Sequence, residues 1–139
     1  METFNFGMPT IILQPREAIN KDNIDQAQES LSHVCAAITD VCINKDILYN
    51  LLITDKGMTF YIMPRKKELS TEEENVYNLG VFDLAGAFYV LDKEKFGKVN
   101  YKEFIEYCST NVGLKKAEFD DLKKIIIEKF ESEYMGSDK

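Results

Sequence analysis

The stretch ILYNLLITDKGMTFYIM at residues 47–63 predicts the centre of the fold, a β-hairpin. Residues 47–54 and 58–63 are rich in aliphatic, aromatic and β-branched side chains, a composition typical of strands. The polar segment Asp55–Gly57 separates them and contains the glycine that a tight hairpin turn favours. Pro64 follows directly, and we expect it to end the second strand because proline has no N–H to donate to a sheet.

A strand and a long helix are predicted before this hairpin. Residues 8–14 read MPTIILQ, a short run of strand-like composition that Pro15 would end. Asn20 or Asp22 is suited to cap the helix, which begins near Ile24 and continues for about twenty residues. Apolar side chains recur along it at helical spacing and form one stripe to be buried: Ile24, Leu31, Val34, Cys35, Ile38, Val41 and Cys42.

One more strand and two helices are predicted after the hairpin. Residues 81–91 are rich in Val, Phe and Tyr and predict a strand that bends at Gly86. A helix follows Asn100 and ends near Gly113, and the last helix covers residues 115–131. The order indicates an α/β (more strictly α+β) domain, a partly antiparallel sheet of about four strands with about three helices packed on it. The last helix is expected to bury one face: Phe119, Leu122, Ile125, Ile126 and Phe130.

Composition and charge limit the class of protein. The 139 residues are 45% apolar and 29% charged, as in a globular domain, which we expect to cover residues 1–134 with a flexible tail at 135–139. The net charge of −7 disfavours nucleic acid as a partner, because binding to phosphate backbones depends on clustered Lys and Arg. The apolar runs are too short for a bilayer and no secretory signal is visible. We therefore expect no direct membrane insertion and an intracellular, cytoplasmic location.

The histidine and cysteine content limits the chemistry. His33 is the only histidine, and helical spacing places it on the polar face of the first helix. A metal site of several histidines is therefore excluded within this sequence, and no nucleophile-elbow or phosphate-loop motif is present. Cys35, Cys42 and Cys108 lack metal-binding spacing, and we expect small core residues rather than disulfides. No cofactor is predicted.

Residues 92–103, DKEKFGKVNYKE, are similar to the calcium loop of an EF-hand. Phe96 stands where an oxygen ligand belongs, which should weaken calcium binding severely, and no second loop is visible. An ordinary strand-to-helix turn explains the same residues, with Asn100 and Glu103 as the two ends of a capping box. The candidate calcium ligands are Asp92, Glu94, Asn100 and Glu103.

Four segments together resemble the C-terminal half of the GDP-hexose phosphorylases, which act on GDP-D-glucose or GDP-L-galactose. Gly7–Leu13 is similar to the strand after the catalytic region of that family, and Tyr49–Pro64 is similar to its hairpin. Val81–Leu91 is similar to its Val-Trp-Glu-Met-Ser-Gly-His segment, and Leu114–Leu122 to its closing segment. These enzymes belong to the galactose-1-phosphate uridylyltransferase branch of the histidine-triad superfamily, so the resemblance implies half of a histidine-triad-like fold.

The same resemblance identifies what is missing. Family members use a His-x-His-x-Gln strand in which a histidine attacks the α-phosphate, and this sequence contains no such triplet. The resemblance places the triplet upstream of Met1, and Ala87 stands where the family has its histidine after glycine. No catalytic residue is carried over. Asn50 and Arg65 are the candidate nucleotide contacts, and each also has a structural interpretation, as a turn-holding amide and a solvated charge.

These features favour a non-catalytic structural or interaction subunit, derived from a GDP-hexose phosphorylase-like domain and held in a larger protein assembly. Residues 8–14 are the candidate exposed strand edge for a protein partner, either a second copy or a different subunit. One alternative is enzymatic, a piece of a split nucleotide-sugar phosphorylase whose histidine strand comes from another polypeptide. A second alternative is a degenerate single EF-hand module.

Overall fold

The computed structural model of the chain describes residues 8–66 and 100–135. Within them a three-stranded antiparallel sheet combines with three α-helices, which confirms the predicted mixed α+β class. The predicted strand at residues 81–91 lies outside the described residues. The elements in chain order are β1 (Ile11–Leu13), α1 (Ile24–Asn44), β2 (Leu48–Thr54), β3 (Thr59–Arg65), α2 (Tyr101–Tyr107) and α3 (Lys116–Met135).

The sheet has the order β1-β3-β2, so the second strand of the predicted hairpin lies at its centre. Ile62 of β3 is opposite Ile11 on one side and Leu51 on the other. Because side chains alternate across a strand, each strand presents two faces. We call the face that carries Tyr49, Leu51, Ile53, Phe60 and Ile62 the helix face, and the face that carries Asn50, Leu52, Tyr61, Met63 and Arg65 the opposite face.

The prediction that Pro64 ends the second strand is wrong, since β3 continues to Arg65 and Pro64 is opposite Tyr49 of β2. In an antiparallel pair, directly opposed residues alternate between hydrogen-bonded and non-hydrogen-bonded positions. Proline fits the non-hydrogen-bonded position, where its missing N–H would point away from β2. The N–H of Lys66, two residues later, points to that same outer side and donates to the Val112 carbonyl at 2.9 Å.

The first strand is shorter than the predicted residues 8–14. Continuing the β1–β3 register from Ile11 would bring Pro9 opposite Pro64, and neither residue has an N–H for the ladder. The ladder therefore stops at Ile11. The chain before it turns inward, where the Thr10 hydroxyl donates to the Met8 carbonyl at 3.0 Å and the Met8 side chain is buried.

The predicted turn at Asp55–Gly57 is confirmed and forms one 3-10 turn in which all three residues have positive φ. Gly57, at φ 87°, supplies the conformation that other residues rarely adopt. The Thr59 hydroxyl donates to Asp55 Oδ2 at 2.8 Å, and Gln28 of α1 donates to the Lys56 carbonyl at 3.2 Å. These bonds fix the register of the hairpin and connect its tip to the first helix.

Helix α1 has the predicted start and a length of 21 residues, but its cap differs from the prediction. Asn23 occupies the N-cap position instead of Asn20 or Asp22. The Asn20 side chain accepts the N–H groups of Asp22 at 2.8 Å and Asn23 at 3.2 Å, and so orders the turn before the helix. Asn20 therefore stabilises the turn before the helix and does not cap the helix itself.

Two helices cover the helix face of the sheet and form the main core. Helices α1 and α3 pack there against Phe60 and Ile62, and the buried residues of α3 agree with the predicted face. Ile125 and Phe130 are partly buried at its border. Among the described helices, none is both long and apolar enough for a membrane span. The buried side chains of the two helices are Leu31, Cys35, Ile38, Val41, Cys42, Phe119, Leu122 and Ile126.

A second, smaller cluster covers the opposite face. Helix α2 ends in a π-helical segment, Cys108–Val112, whose Cys108 and Val112 side chains are buried against Met8 and Met63. Arg65 forms an isolated antiparallel bridge with Gly113, directly after this segment. The central strand is therefore covered by side chains on both faces, and backbone groups lie along both of its edges.

Candidate functional site

The two predicted nucleotide contacts are neighbours on the opposite face of the sheet. Asn50 of β2 is opposite Met63, and Arg65 of β3 is opposite Leu48. Asn50 and Arg65 are therefore diagonal partners, a relation in which the Cα atoms are about 7–8 Å apart and long side chains reach one another. These two residues are fifteen positions apart in sequence. They become neighbours because the turn fixes the register of the hairpin.

Both side chains contain a buried hydrogen-bond donor without a partner among the described residues. The atoms are Nδ2 of Asn50 and Nε of Arg65. Leaving a buried donor unpaired costs about 1–3 kcal/mol, and more for a charged group, so native proteins rarely do so without a reason. Both residues project from the opposite face of the β2–β3 hairpin, and their role as nucleotide contacts stays a prediction.

The backbone around Arg65 is held on both sides. Leu48 of β2 pairs with it on one side, and Gly113 forms the bridge on the other. A Cβ atom added at Gly113 would lie 3.1 Å from Met8 Cγ, so glycine permits this close approach. Lys66 extends the anchor, since its Nζ donates to the Thr110 carbonyl at 3.2 Å. The backbone of Arg65, at the end of β3, is therefore held in place on both sides.

The surroundings of the site are mostly apolar, and none of the described carboxylates forms an ion pair with Arg65. Met63 and Cys108 are buried beside it, with Tyr61 and Tyr107 partly buried. Burial, with a smaller contribution from the charge of the neighbouring Cys108, raises the pKa of Tyr107 above its ordinary value. A phenol with a raised pKa stays neutral and protonated at physiological pH, so it adds no negative charge to the site.

His33 lies away from this site, as its predicted polar position indicated. Its side chain is 75% exposed on α1, and Nε2 is 3.9 Å from Glu29 Oε1 one helical turn earlier. Helix α1 packs on the helix face of the sheet, whereas Asn50 and Arg65 lie on the opposite face. The sheet therefore separates the single histidine of the sequence from the candidate nucleotide contacts.

All three cysteines are free and buried, as predicted. Burial raises the pKa of the Cys35 and Cys42 thiols, which lie on the core side of α1. A raised pKa disfavours the nucleophilic thiolate. These thiols therefore serve as packing groups in this fold.

The calcium prediction is only partly covered by the described residues. Asp92 and Glu94 lie outside them, and the exposed pair Asn100 and Glu103 stands at the start of α2. Asn100 Oδ1 accepts the Glu103 N–H at 3.0 Å, which is the hydrogen bond of an N-cap, as the capping-box interpretation expected. No group of three acidic, histidine or cysteine side chains suited to a metal occurs within residues 8–66 and 100–135. Calcium binding stays an untested prediction.

Sequence reasoning named Asn50 and Arg65 separately but missed their adjacency. The signal was present, because a turn at Asp55–Gly57 that pairs Thr54 with Thr59 places Asn50 opposite residue 63 and Leu48 opposite residue 65. It also missed that β2, within residues 8–66 and 100–135, pairs with a strand on one side only. Leu51 and Ile53 of β2 stay partly exposed, whereas Phe60 and Ile62 of β3 are buried in the core with α1 and α3. A local sequence pattern does not show which strand the helices cover.

The described residues form an α+β domain in which Asn50 and Arg65 lie on one face of the sheet and His33 lies on a helix that packs on the other face. The family comparison is more specific: the model of the family described as "GDPGP1-like, C-terminal domain" matches residues 12–133. The chain therefore belongs to this family, and its resemblance to the C-terminal part of the GDP-hexose phosphorylases is confirmed. Neither a search of curated proteins nor a search of solved structures finds a match.

Proposed function

We propose that this chain is a non-catalytic interaction subunit whose partner adds a strand to the outer edge of β2. The observation that carries the proposal is the edge itself. Within residues 8–66 and 100–135, β2 pairs only with β3 and spans seven residues, Leu48–Thr54. An exposed strand of this length presents a row of backbone donors and acceptors that another strand can pair with.

The orientation of the backbone groups on this edge follows from Pro64. Since Tyr49 is opposite a proline, the pair is non-hydrogen-bonded, and alternation makes Leu51 and Ile53 non-hydrogen-bonded as well. The N–H and C=O groups of these three residues therefore point outward from the sheet. A partner strand would hydrogen-bond to Tyr49, Leu51 and Ile53.

The side chains of the edge support an apolar contact. Leu51 is 38% exposed and Ile53 is 49% exposed, both on the helix face beside the core. The strand contains no charged residue, although exposed edges are commonly protected by a charge or a proline. Covering Leu51 and Ile53 would continue the apolar core under the added strand.

The partner we propose is a different protein rather than a second copy. Each copy has a net charge of −7, so self-association would bring together two surfaces of the same net sign. A neutral or basic partner avoids this repulsion. The edge first predicted, residues 8–14, is a poorer candidate because β1 has only three residues, all partly buried.

The non-catalytic part of the proposal is supported by the position of His33. The resemblance assigns the attacking group of the family to histidine, and the histidine of this chain is an exposed helix residue on the other side of the sheet from Asn50 and Arg65. Phosphorolysis of a GDP-hexose by the isolated chain, measured as release of hexose 1-phosphate, would contradict this part.

A charge on the edge tests the interaction. We expect Leu51→Lys to raise the dissociation constant of the partner complex by at least about tenfold, because it removes apolar area that the partner would cover and places a charge in an apolar contact, and each 1.4 kcal/mol is tenfold. Ile127→Lys is the matched control, because Ile127 is a similarly exposed aliphatic residue (55%) on α3. The measurement is the size of the native assembly and the fraction of partner retained with each variant.

The test reports on binding if Ile127→Lys retains the partner as the wild type does and both variants have the circular dichroism spectrum of the wild type. Equal partner retention by Leu51→Lys and Ile127→Lys would contradict the assignment to β2. Wild-type chain that migrates at its own mass of 16.0 kDa in a native extract would contradict the interaction role as a whole.

The enzymatic alternative is favoured by the family match over residues 12–133. In that case the chain would supply one part of a nucleotide-sugar phosphorylase and its partner would supply the histidine strand. A retained partner that carries His-x-His-x-Gln, together with phosphorolysis by the complex alone, would favour this alternative over the non-catalytic role.

A further inference from the structure

We propose that Met8, Met63 and Cys108 form a binding site for a soft monovalent metal ion, namely Cu(I). The inference goes beyond the interaction role, because it concerns the second cluster on the opposite face of the sheet and not the outer edge of β2. Among the described residues, the buried members of that cluster are these three and Val112. Three of these four therefore contain sulfur, although the 139-residue sequence has only three Cys and five Met.

Three separate segments of the chain bring these side chains together. Met8 precedes β1, Met63 belongs to the central strand β3, and Cys108 begins the π-helical segment. Their exposed fractions are 1%, 1% and 0%. A methionine side chain has three rotatable bonds and a polarizable thioether, so it adapts easily to a new contact. Both thioethers can therefore adjust to a shared ion by side-chain rotation, without movement of the strands.

Unusual local backbone features hold two of these residues in place. The buried Thr10 hydroxyl donates to the Met8 carbonyl at 3.0 Å and orders the inward turn before β1. A Cβ atom added at Gly113 would lie 3.1 Å from Met8 Cγ and 3.4 Å from the Cys108 carbonyl oxygen, so these two residues meet at the glycine. The π-helical segment buries both Cys108 and Val112 in the cluster. Such segments are rare and occur frequently at functional sites.

The type and number of the sulfur groups indicate which metal suits the site. Thiolate and thioether sulfurs are soft ligands, which suit Cu(I), zinc and iron–sulfur clusters. Structural zinc sites usually have four ligands, and iron–sulfur clusters are held by several Cys. The described cluster instead combines a single cysteine, Cys108, with two methionines. Cu(I) is therefore the best match.

The charge of the complex supports the same choice. On binding, the Cys108 thiol releases its proton to solvent and its sulfur donates an electron pair to the metal, while both methionines stay neutral. No electron is transferred, and the copper remains Cu(I). One thiolate and one monovalent ion sum to zero, whereas a divalent ion would leave a net positive charge in an apolar cluster, which is costly.

The surroundings of the cluster favour the reduced ion. Leu52 and Ile105 pack against it as partly buried aliphatic residues, next to Tyr61 and Tyr107. An apolar shell of this kind limits the access of solvent to a metal. Cu(II) prefers nitrogen and oxygen ligands, and the proposed ligands are all sulfurs. We therefore expect the site to bind Cu(I) in preference to Cu(II).

Methionine methyl signals test the site in the wild-type chain. The full chain, labelled with carbon-13 at the methionine methyl groups, is titrated with Cu(I) under anaerobic, reducing conditions and followed by NMR. We expect the signals of Met8 and Met63 to shift, while that of Met58, which packs against the main core, stays in place. X-ray absorption of the loaded chain should show sulfur neighbours of the copper and no nitrogen or oxygen neighbour.

Matched pairs of variants separate the proposed ligands from the other sulfurs of the chain. Met63→Leu removes the thioether but keeps an apolar side chain of similar volume, and Met58→Leu is its control. Cys108→Ala removes the thiol, and Cys42→Ala is its control because both cysteines are 0% exposed. We expect Met63→Leu and Cys108→Ala each to weaken Cu(I) binding by at least about tenfold, since loss of even an outer-shell partner of a metal costs about 10–100-fold. Competition with a chromophoric Cu(I) chelator measures the affinity, and both controls should bind as the wild type does.

The outcomes are distinct. Equal affinities of Met63→Leu and Met58→Leu, or of Cys108→Ala and Cys42→Ala, would overturn the proposal. So would the absence of a methyl shift in a folded wild-type chain at saturating Cu(I), or nitrogen and oxygen neighbours of the copper. The wild-type titration decides even if a variant fails to fold.

Discussion

Phe119→Ala is expected to lower the free energy of unfolding by about 3–5 kcal/mol, the range typical of removing a fully buried phenylalanine. Phe119 is 1% exposed and is among the largest fully buried side chains of the described residues. It lies in the first turn of α3 and joins this helix to the core formed by α1 and the sheet. Truncation to alanine leaves a cavity where the two helices meet the sheet.

Urea unfolding followed by circular dichroism measures this effect. Phe130→Ala on the same helix is the matched control, since Phe130 is only partly buried at the border of the core. We expect it to lose distinctly less stability than Phe119→Ala, because less apolar area leaves water there. Equal losses for the two variants would contradict the position of α3 on the helix face.

Ile62→Ala is expected to cost about 2–5 kcal/mol. Ile62 has no exposed area and lies at the centre of the sheet, where it is opposite residues of both β1 and β2. Its side chain packs under α1 and α3 in the main core. Alanine would remove three carbons from the most enclosed position of the hairpin, and the surrounding strands and helices have little freedom to collapse onto the space.

Leu51→Ala provides the control for this substitution. Leu51 is directly opposite Ile62 and projects from the same face, yet it remains 38% exposed in the isolated chain. We expect Leu51→Ala to cost about 1 kcal/mol or less, in keeping with partial burial. If urea unfolding gave a larger loss for Leu51 than for Ile62, β3 would not be the central strand.

The hairpin could be predicted from sequence because local signals agreed with the final fold. Strand-forming residues flank a turn whose glycine adopts positive φ, and the turn then fixes the register of every pair in the hairpin. Helices α1 and α3 were predicted for the same reason, since each has an apolar stripe that one sheet face buries. For these elements the local sequence pattern and the tertiary packing agree, so the pattern alone predicts them.

The wrong predictions concern residues whose role depends on neighbours that are distant in sequence or already hydrogen-bonded. Pro64 was expected to end its strand, but only the position of β2 decides whether a missing N–H matters. Residues 8–10 have a strand-like composition, but their ladder would need an N–H from Pro9 or from Pro64. The N-cap moved to Asn23 because the Asn20 side chain was already engaged in the preceding turn.

The candidate site was predictable in its residues but not in its geometry. Asn50 and Arg65 were named through a family resemblance, and the hairpin register makes them diagonal neighbours. The burial of their donor atoms depends on tertiary packing over the opposite face, which no local pattern in the sequence specifies. The proposed protein contact lies at the outer edge of this hairpin and not on the face that carries Asn50 and Arg65.

Hydrogen exchange along β2 tests the interaction role most directly. The outward N–H groups of Tyr49, Leu51 and Ile53 should exchange rapidly in the isolated chain, whereas those of Asn50 and Leu52 point to β3 and should exchange slowly. In the assembly purified from cells, we predict that exchange at Tyr49, Leu51 and Ile53 slows by at least about tenfold, because each N–H gains a partner. Unchanged exchange at these three amides in the assembly would contradict the account.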